Sequence, residues 1–78
     1  MIIIDVRTKE EYERGHAVGA LHHDIMEMME GRFPELPQDA EITVYCESGN
    51  RAMMAKMFME QVGFTHVVSG GGLADMAI

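Results

Sequence analysis

Ile42-Thr43-Val44-Tyr45-Cys46-Glu47-Ser48-Gly49-Asn50-Arg51-Ala52-Met53-Met54-Ala55-Lys56-Met57 is the stretch on which the fold turns. Ile42 to Tyr45 are β-branched or aromatic and nearly all apolar, which predicts a strand buried on both faces. Glu47-Ser48-Gly49-Asn50 is turn chemistry, and Gly49 and Asn50 both tolerate positive φ. From Arg51 the chain becomes rich in Ala, Met and Lys, all good helix formers. Gly63 stands where such a helix would end in a left-handed residue. Strand, tight loop and helix thus follow in direct succession, and the only cysteine, Cys46, falls where the strand meets the loop.

That placement has a chemical consequence. A short loop entering a helix points unpaired backbone N–H groups inward, and the helix dipole adds about half a positive charge there. A sulfur in such a cradle is favoured as thiolate. The same donors can hold an anion bonded to the sulfur, and Arg51, in the first helical turn, supplies a cation. A lone cysteine is more often a small buried hydrophobe; the strand–loop–helix context favours the nucleophile here.

Outward from this centre, Ile2 to Val6 reads as a short buried strand. Thr8-Lys9-Glu10-Glu11 is a capping box that opens a helix running to about Arg14 and stopping at Gly15. Gly19 to His22 suits a second short strand. Asp24 with Glu27 signals another helix over Ile25 to Glu30, closed by Gly31. Arg32 to Glu41 carries both prolines and reads as a loop. Phe64 to Val68 looks like the last strand, Ser69 to Gly72 a turn, and Leu73 to Ile78 a final helical turn. Strands alternating with helices at short spacing predict a parallel sheet covered on both faces, with sites at the carboxyl ends of the strands. The 78 residues make one domain, 1–78, with a small core.

In four places the chain resembles the rhodanese-like sulfurtransferases. Cys46 to Arg51 fits their Cys-x-x-Gly-x-Arg loop. Ile4 to Tyr12 is similar to their Asp-Val-Arg and Glu-Glu-Tyr segment. Gly15 to Ala20 is similar to Gly-His-Ile-Pro-Gly-Ala, with Ala17 and Val18 departing. Gly71-Gly72-Leu73 matches a late Gly-Gly-Leu. The resemblance implies an α/β, three-layer rhodanese-like fold with a roughly four-stranded parallel sheet flanked by helices. The chain resembles a trimmed member of the small phage-shock type, without the strand and helix that usually precede the Asp-Val-Arg segment.

The resemblance also implies a chemistry. Cys46 would attack the sulfane sulfur of a donor such as thiosulfate, hold it as a persulfide and pass it to a thiophilic acceptor, cyanide or a thiol, without metal or organic cofactor. Glu47, Ser48, Gly49, Asn50 and Arg51 would form the substrate-binding loop. Arg51 is expected to orient substrate, Ser48 either to donate to the persulfide or to cap the helix, Gly49 to supply backbone geometry, and Asp5 with Arg7 to form an ion pair beneath the site. Protein tyrosine phosphatases place five residues between Cys and Arg; here there are four, a smaller cradle suited to one added sulfur. The alternative is a non-catalytic or regulatory module that binds partners or senses oxidants through Cys46.

The remaining composition sets boundaries. Thirteen acids against six bases give a net charge of −7, which argues against nucleic acid or an anionic membrane as partner. It also repels an anionic donor, which leaves a protein persulfide or a neutral thiol species beside a small sulfur anion. No apolar run approaches the roughly 20 residues of a membrane span, and Met1 to Ile4 lacks a basic leader. A cytoplasmic protein is expected, or a periplasmic one if a leader has been removed. His16, His22, His23 and His66 lack metal-ligand spacing. Met26, Met29, Met53, Met54 and Met57 read as core-facing helix residues.

Overall fold

A computed structural model describes residues 1–76. Its elements are β1 (Ile2–Asp5), α1 (Lys9–Glu13), β2 (Leu21–His22), α2 (Ile25–Met29), β3 (Ile42–Cys46), α3 (Asn50–Gln61) and β4 (Val67–Gly72), then a 3-10 turn over Leu73–Asp75. The strands form one parallel sheet in the order β2-β1-β3-β4. β3 lies inside it, and all five of its residues are buried. The α/β sheet expected from the alternation of elements is therefore present.

Side chains alternate across the sheet, as strand geometry requires. Ile4, Val6, Ile42, Val44 and Cys46 join Ile25, Met28, Ala52, Ala55 and Met59 in the larger cluster, under α2 and α3. Ile3 and Tyr45 face Ala17, Ala20, Leu73 and Met76 in the smaller one. The capping box forms as its sequence predicts: Thr8 accepts from the Glu11 N–H and Glu11 reaches back to the Thr8 N–H. At α2 the Asp24 carboxylate accepts from the Met26 N–H.

Three local expectations are corrected. First, α3 begins at Asn50, not Arg51; Gly49 alone takes positive φ, at 99°, and Asn50 is helical. Second, the last strand runs Val67–Gly72 rather than Phe64 to Val68. The supposed turn of serine and glycines is part of the ladder: Val44 pairs with Ser69 and Cys46 with Gly72, with a register shift between them. β4 thus spends one residue more than β3 over this stretch. Gly71, at φ 86°, absorbs the resulting bulge. Third, Met26, Met29, Met53, Met54 and Met57 are exposed, while Ala52, Ala55 and Met59 form the buried stripe of α3. Alanines at that spacing let the helix lie close to the sheet, so Met53, Met54 and Met57 are turned outward while Met59 stays in the stripe. Of the expected final helical turn, Leu73–Asp75 is present, and its last part, residues 77–78, lies outside the described residues.

Candidate active site

Cys46 is the last residue of β3, and its chain direction carries it into the loop Glu47-Ser48-Gly49 before α3 begins. The loop folds back over the sulfur. The Cys46 Sγ accepts from the Gly49 N–H at 2.9 Å and from the Ala52 N–H at 3.4 Å. These are donors that the first turn of a helix leaves without carbonyl partners. The residue is fully buried, and it is a free thiol. The backbone of β4 closes the loop from the other side. Ser48 bridges Gly72, and a Cβ at Gly72 would stand 2.3 Å from the Glu47 carbonyl oxygen. Only glycine fits there, which gives the second half of the Gly71-Gly72-Leu73 segment a physical reason.

Two charge networks hold the loop. In the first, Arg7 grips Asp5 with Nε at 2.9 Å from Oδ1 and Nη2 at 2.7 Å from Oδ2, and its backbone N–H also donates to Oδ1. The Tyr45 hydroxyl donates to Asp5 Oδ2 at 2.9 Å and accepts from the Ala17 N–H at 2.9 Å. Arg7 Nη2 also donates to the Gly15 carbonyl, and Nη1 donates to Glu47 Oε1 at 3.0 Å. Burial alone pushes the Asp5 carboxyl up, but hydrogen bonds from Arg7 and Tyr45 outweigh it and hold it below the usual carboxylate range. Burial pushes the Tyr45 phenol up. The expected ion pair beneath the loop is present, and Arg7 extends it to Glu47.

In the second network, Arg51 donates both terminal nitrogens to the two oxygens of Glu11, at 2.8 and 3.0 Å. These bonds, with those from the Thr8 N–H and hydroxyl, draw the Glu11 carboxyl down to about 2. They also raise the Arg51 guanidinium further above its ordinary value. Arg51 therefore ties the start of α3 to α1 and lies beside the loop already paired. Ser48 and Asn50 are exposed at the loop. The helix-cap role considered for Ser48 is not found, because α3 has no side-chain cap. Next to the loop is an open cavity of about 370 Å³, lined by Arg7, Glu11, Arg14, Gly15, Glu47 and Leu73. Sequence reasoning missed Glu11 as a partner of the loop, and Gly15 and Tyr45 as partners of the Asp5–Arg7 pair beneath it. The capping box gave Glu11 a local role that hid its second one.

The histidines are placed by other contacts. His16 stacks on Tyr12 with ring centroids 3.7 Å apart, and His22 bonds the Arg7 carbonyl at 2.7 Å. His23 bonds the Arg32 carbonyl and His66 the Thr65 hydroxyl. Among the described residues, no three His, Cys, Asp or Glu side chains gather where they could hold a metal ion. No helix among them is long and apolar enough to cross a membrane.

Sequence and fold both have counterparts among known proteins. The family model for the rhodanese-like domain matches residues 1–75. The chain belongs to the rhodanese-like family. It is 36% identical over 76 residues to the thiosulfate sulfurtransferase PspE of Escherichia coli (strain K12), covering 96% of this chain and 73% of that protein. It is 42% identical over 67 residues to the putative sulfur carrier protein YrkF of Bacillus subtilis (strain 168), covering 86% of this chain but only 36% of that one. Among solved structures, a rhodanese with anions from E. coli aligns with a TM-score of 0.82 at 32% identity, covering 99% of this chain and 92% of the other. A rhodanese-like domain from Anabaena aligns with a TM-score of 0.85 at 31% identity, covering 95% and 86%. The rhodanese-like fold expected from the four sequence segments is thus the fold of this chain.

Proposed function

We propose that the chain is a sulfurtransferase that carries sulfane sulfur as a persulfide on Cys46. The observation that carries this reading is the pair of backbone N–H groups, Gly49 and Ala52, aimed at the Cys46 sulfur. Such fixed donors stabilise negative charge on sulfur without reorganising during reaction. The names of PspE and YrkF, both tied to sulfur handling, support it.

With thiosulfate as donor, the Cys46 thiolate attacks the outer sulfur. The new S–S bond forms as the S–S bond of thiosulfate breaks, and sulfite leaves with the bonding pair. An acceptor thiolate then attacks the outer sulfur of the persulfide and leaves with it, returning the Cys46 thiolate. Charge and atoms balance with no external oxidant or reductant, so the chemistry asks for no cofactor. Glu47, Ser48, Gly49, Asn50 and Arg51 line the path by which donor and acceptor reach the sulfur. Cys46 itself lies fully buried beneath this loop.

The competing reading is a module that binds partners or senses oxidants through Cys46. It is favoured by one specific observation: the guanidiniums nearest the loop, Arg7 and Arg51, are both occupied by carboxylates. Electrospray mass spectrometry after thiosulfate treatment separates the two. Transfer requires a gain of one sulfur atom that reductant removes and that Cys46→Ser does not show. Unchanged mass in the wild type, with Cys46 still alkylable, assigns the chain to the binding class.

A further inference from the structure

Glu47 is an unusual neighbour for a sulfur that carries negative charge. It follows Cys46 directly and shares the guanidinium of Arg7 with Asp5. Two carboxylates on one guanidinium leave a net negative charge. That charge is unevenly placed: the Arg7 side chain is 3% exposed, whereas that of Glu47 is 60% exposed. The cation is sealed inside, and the carboxylate lines the cavity beside the loop. The other cation that the loop could offer, Arg51, is held by Glu11. Of the charged side chains that hold the loop, Glu47 is thus the most exposed, and it shares the cavity with Arg14 at the end of α1.

We propose that Glu47 is a specificity-determining residue that selects thiols bearing an ammonium group over thiols bearing only a carboxylate as acceptors of the Cys46 sulfur. The selection rests on the sulfur-transfer reading above and names the acceptor class for that same site. The chemistry is the second half of the cycle: the acceptor thiolate bonds the outer sulfur, the persulfide S–S bond breaks, and its electron pair returns to Cys46. An ammonium on the acceptor is drawn to Glu47 while its thiolate faces the persulfide, and a carboxylate in the same place is repelled. At a separation of about 6 Å in a water-like dielectric, one unit charge changes the rate about threefold in either direction. The two opposite effects together give about a tenfold discrimination, and salt erodes it because the mouth is open to solvent.

The test uses two thiols of equal spacer length and opposite charge, cysteamine and 3-mercaptopropionate. Cys46 is first loaded with thiosulfate and the persulfide confirmed by mass, then its discharge to each thiol is timed in the wild type and in Glu47→Gln. Taking the variant against the wild type for each thiol cancels the thiols' own reactivities. The expected result is slower discharge to cysteamine and faster discharge to 3-mercaptopropionate, about a tenfold change in their ratio at low ionic strength, shrinking in high salt. Equal changes for both thiols, insensitive to salt, would overturn the proposal and leave Glu47 a pin for Arg7. Alkylation of unloaded Cys46 by iodoacetate against iodoacetamide reads the same charge without turnover. An unchanged ratio in Glu47→Gln also overturns it. A changed ratio in a protein that never forms the persulfide refutes the sulfur-transfer reading, and acceptor selection with it, while leaving the charged mouth standing.

Discussion

Gly72→Ala tests how the Cys46 cradle is built. An added methyl would lie 2.3 Å from the Glu47 carbonyl oxygen, 3.1 Å from its carbonyl carbon and 3.4 Å from Ser48 Cα. All three are backbone atoms, so no rotamer change relieves the clash. Gly72 itself has φ −99° and ψ 173°, ordinary extended values, so the cost is contact and not backbone strain. Restoring normal separation requires the loop to retreat by about 1 Å. The Gly49 N–H, two residues on and only 2.9 Å from the sulfur, moves with it. Overpacking of this kind costs about 1–3 kcal/mol, or about 4–8 °C in Tm per kcal/mol for a domain this small. A misplacement of about 1 Å at the reacting group costs about a hundredfold in rate. Persulfide loading followed by mass spectrometry, beside a thermal melt, measures both. Gly70→Ala is the control. Its methyl meets the side chains of Thr43 and Met76, at 2.8 and 3.0 Å, with the nearest backbone atom at 3.5 Å, so it should spare the loading rate. Wild-type loading by Gly72→Ala would refute the claim that β4 holds the loop over Cys46.

Tyr45→Phe removes the hydroxyl that joins Asp5 to the Ala17 N–H, and should cost about 1–3 kcal/mol by leaving that buried donor unpaired, read from urea unfolding. Acid titration should expose the Glu11–Arg51 pair. The Glu11 carboxyl lies at about 2 against an ordinary 4.5, so its contribution is complete above pH 4.5 and lost as pH falls through about 2. The pair is partly exposed, so the loss should be about 1 kcal/mol or less, and Arg51→Ala should reduce that part of the pH dependence of stability to the smaller share that the Thr8 bonds to Glu11 supply.

What was legible in the sequence was local. Thr8 and Glu11 form their capping box because both partners lie within one turn. Cys46, Gly49 and Arg51 read as strand end, loop and helix start because turn chemistry separates two clear patterns. What was not legible depends on residues distant along the chain. Ser69 to Gly72 read as a turn because four small residues carry no strand signal. They join the sheet because β3 and the Cys46 loop approach too closely for side chains. Met53, Met54 and Met57 read as core because their hydrophobicity outweighs that of Ala52 and Ala55. The sheet instead takes the two alanines, with Met59 one turn on, and leaves those three methionines outward. Arg7–Glu47 and Arg51–Glu11 each join residues 40 apart, beyond any local pattern.

Those two long-range pairs share an origin that bears on function. Asp5, Arg7, Thr8 and Glu11 all follow from the end of β1 into α1, and from there they grip the Cys46 loop at both ends, Glu47 before the turn and Arg51 after it. The central residues, Ser48 and Gly49, are held chiefly by backbone, through Gly72 and the sulfur itself. A loop clamped by charge at its ends and by hydrogen bonds at its centre keeps its N–H groups on the sulfur. The clamp also occupies its own cations: Arg7 and Arg51 both have carboxylate partners, while the Glu47 carboxylate stays exposed beside the loop. Stability of the cradle and the charge beside it then meet in Glu47, which pins the loop through Arg7 and is at the same time its most exposed carboxylate.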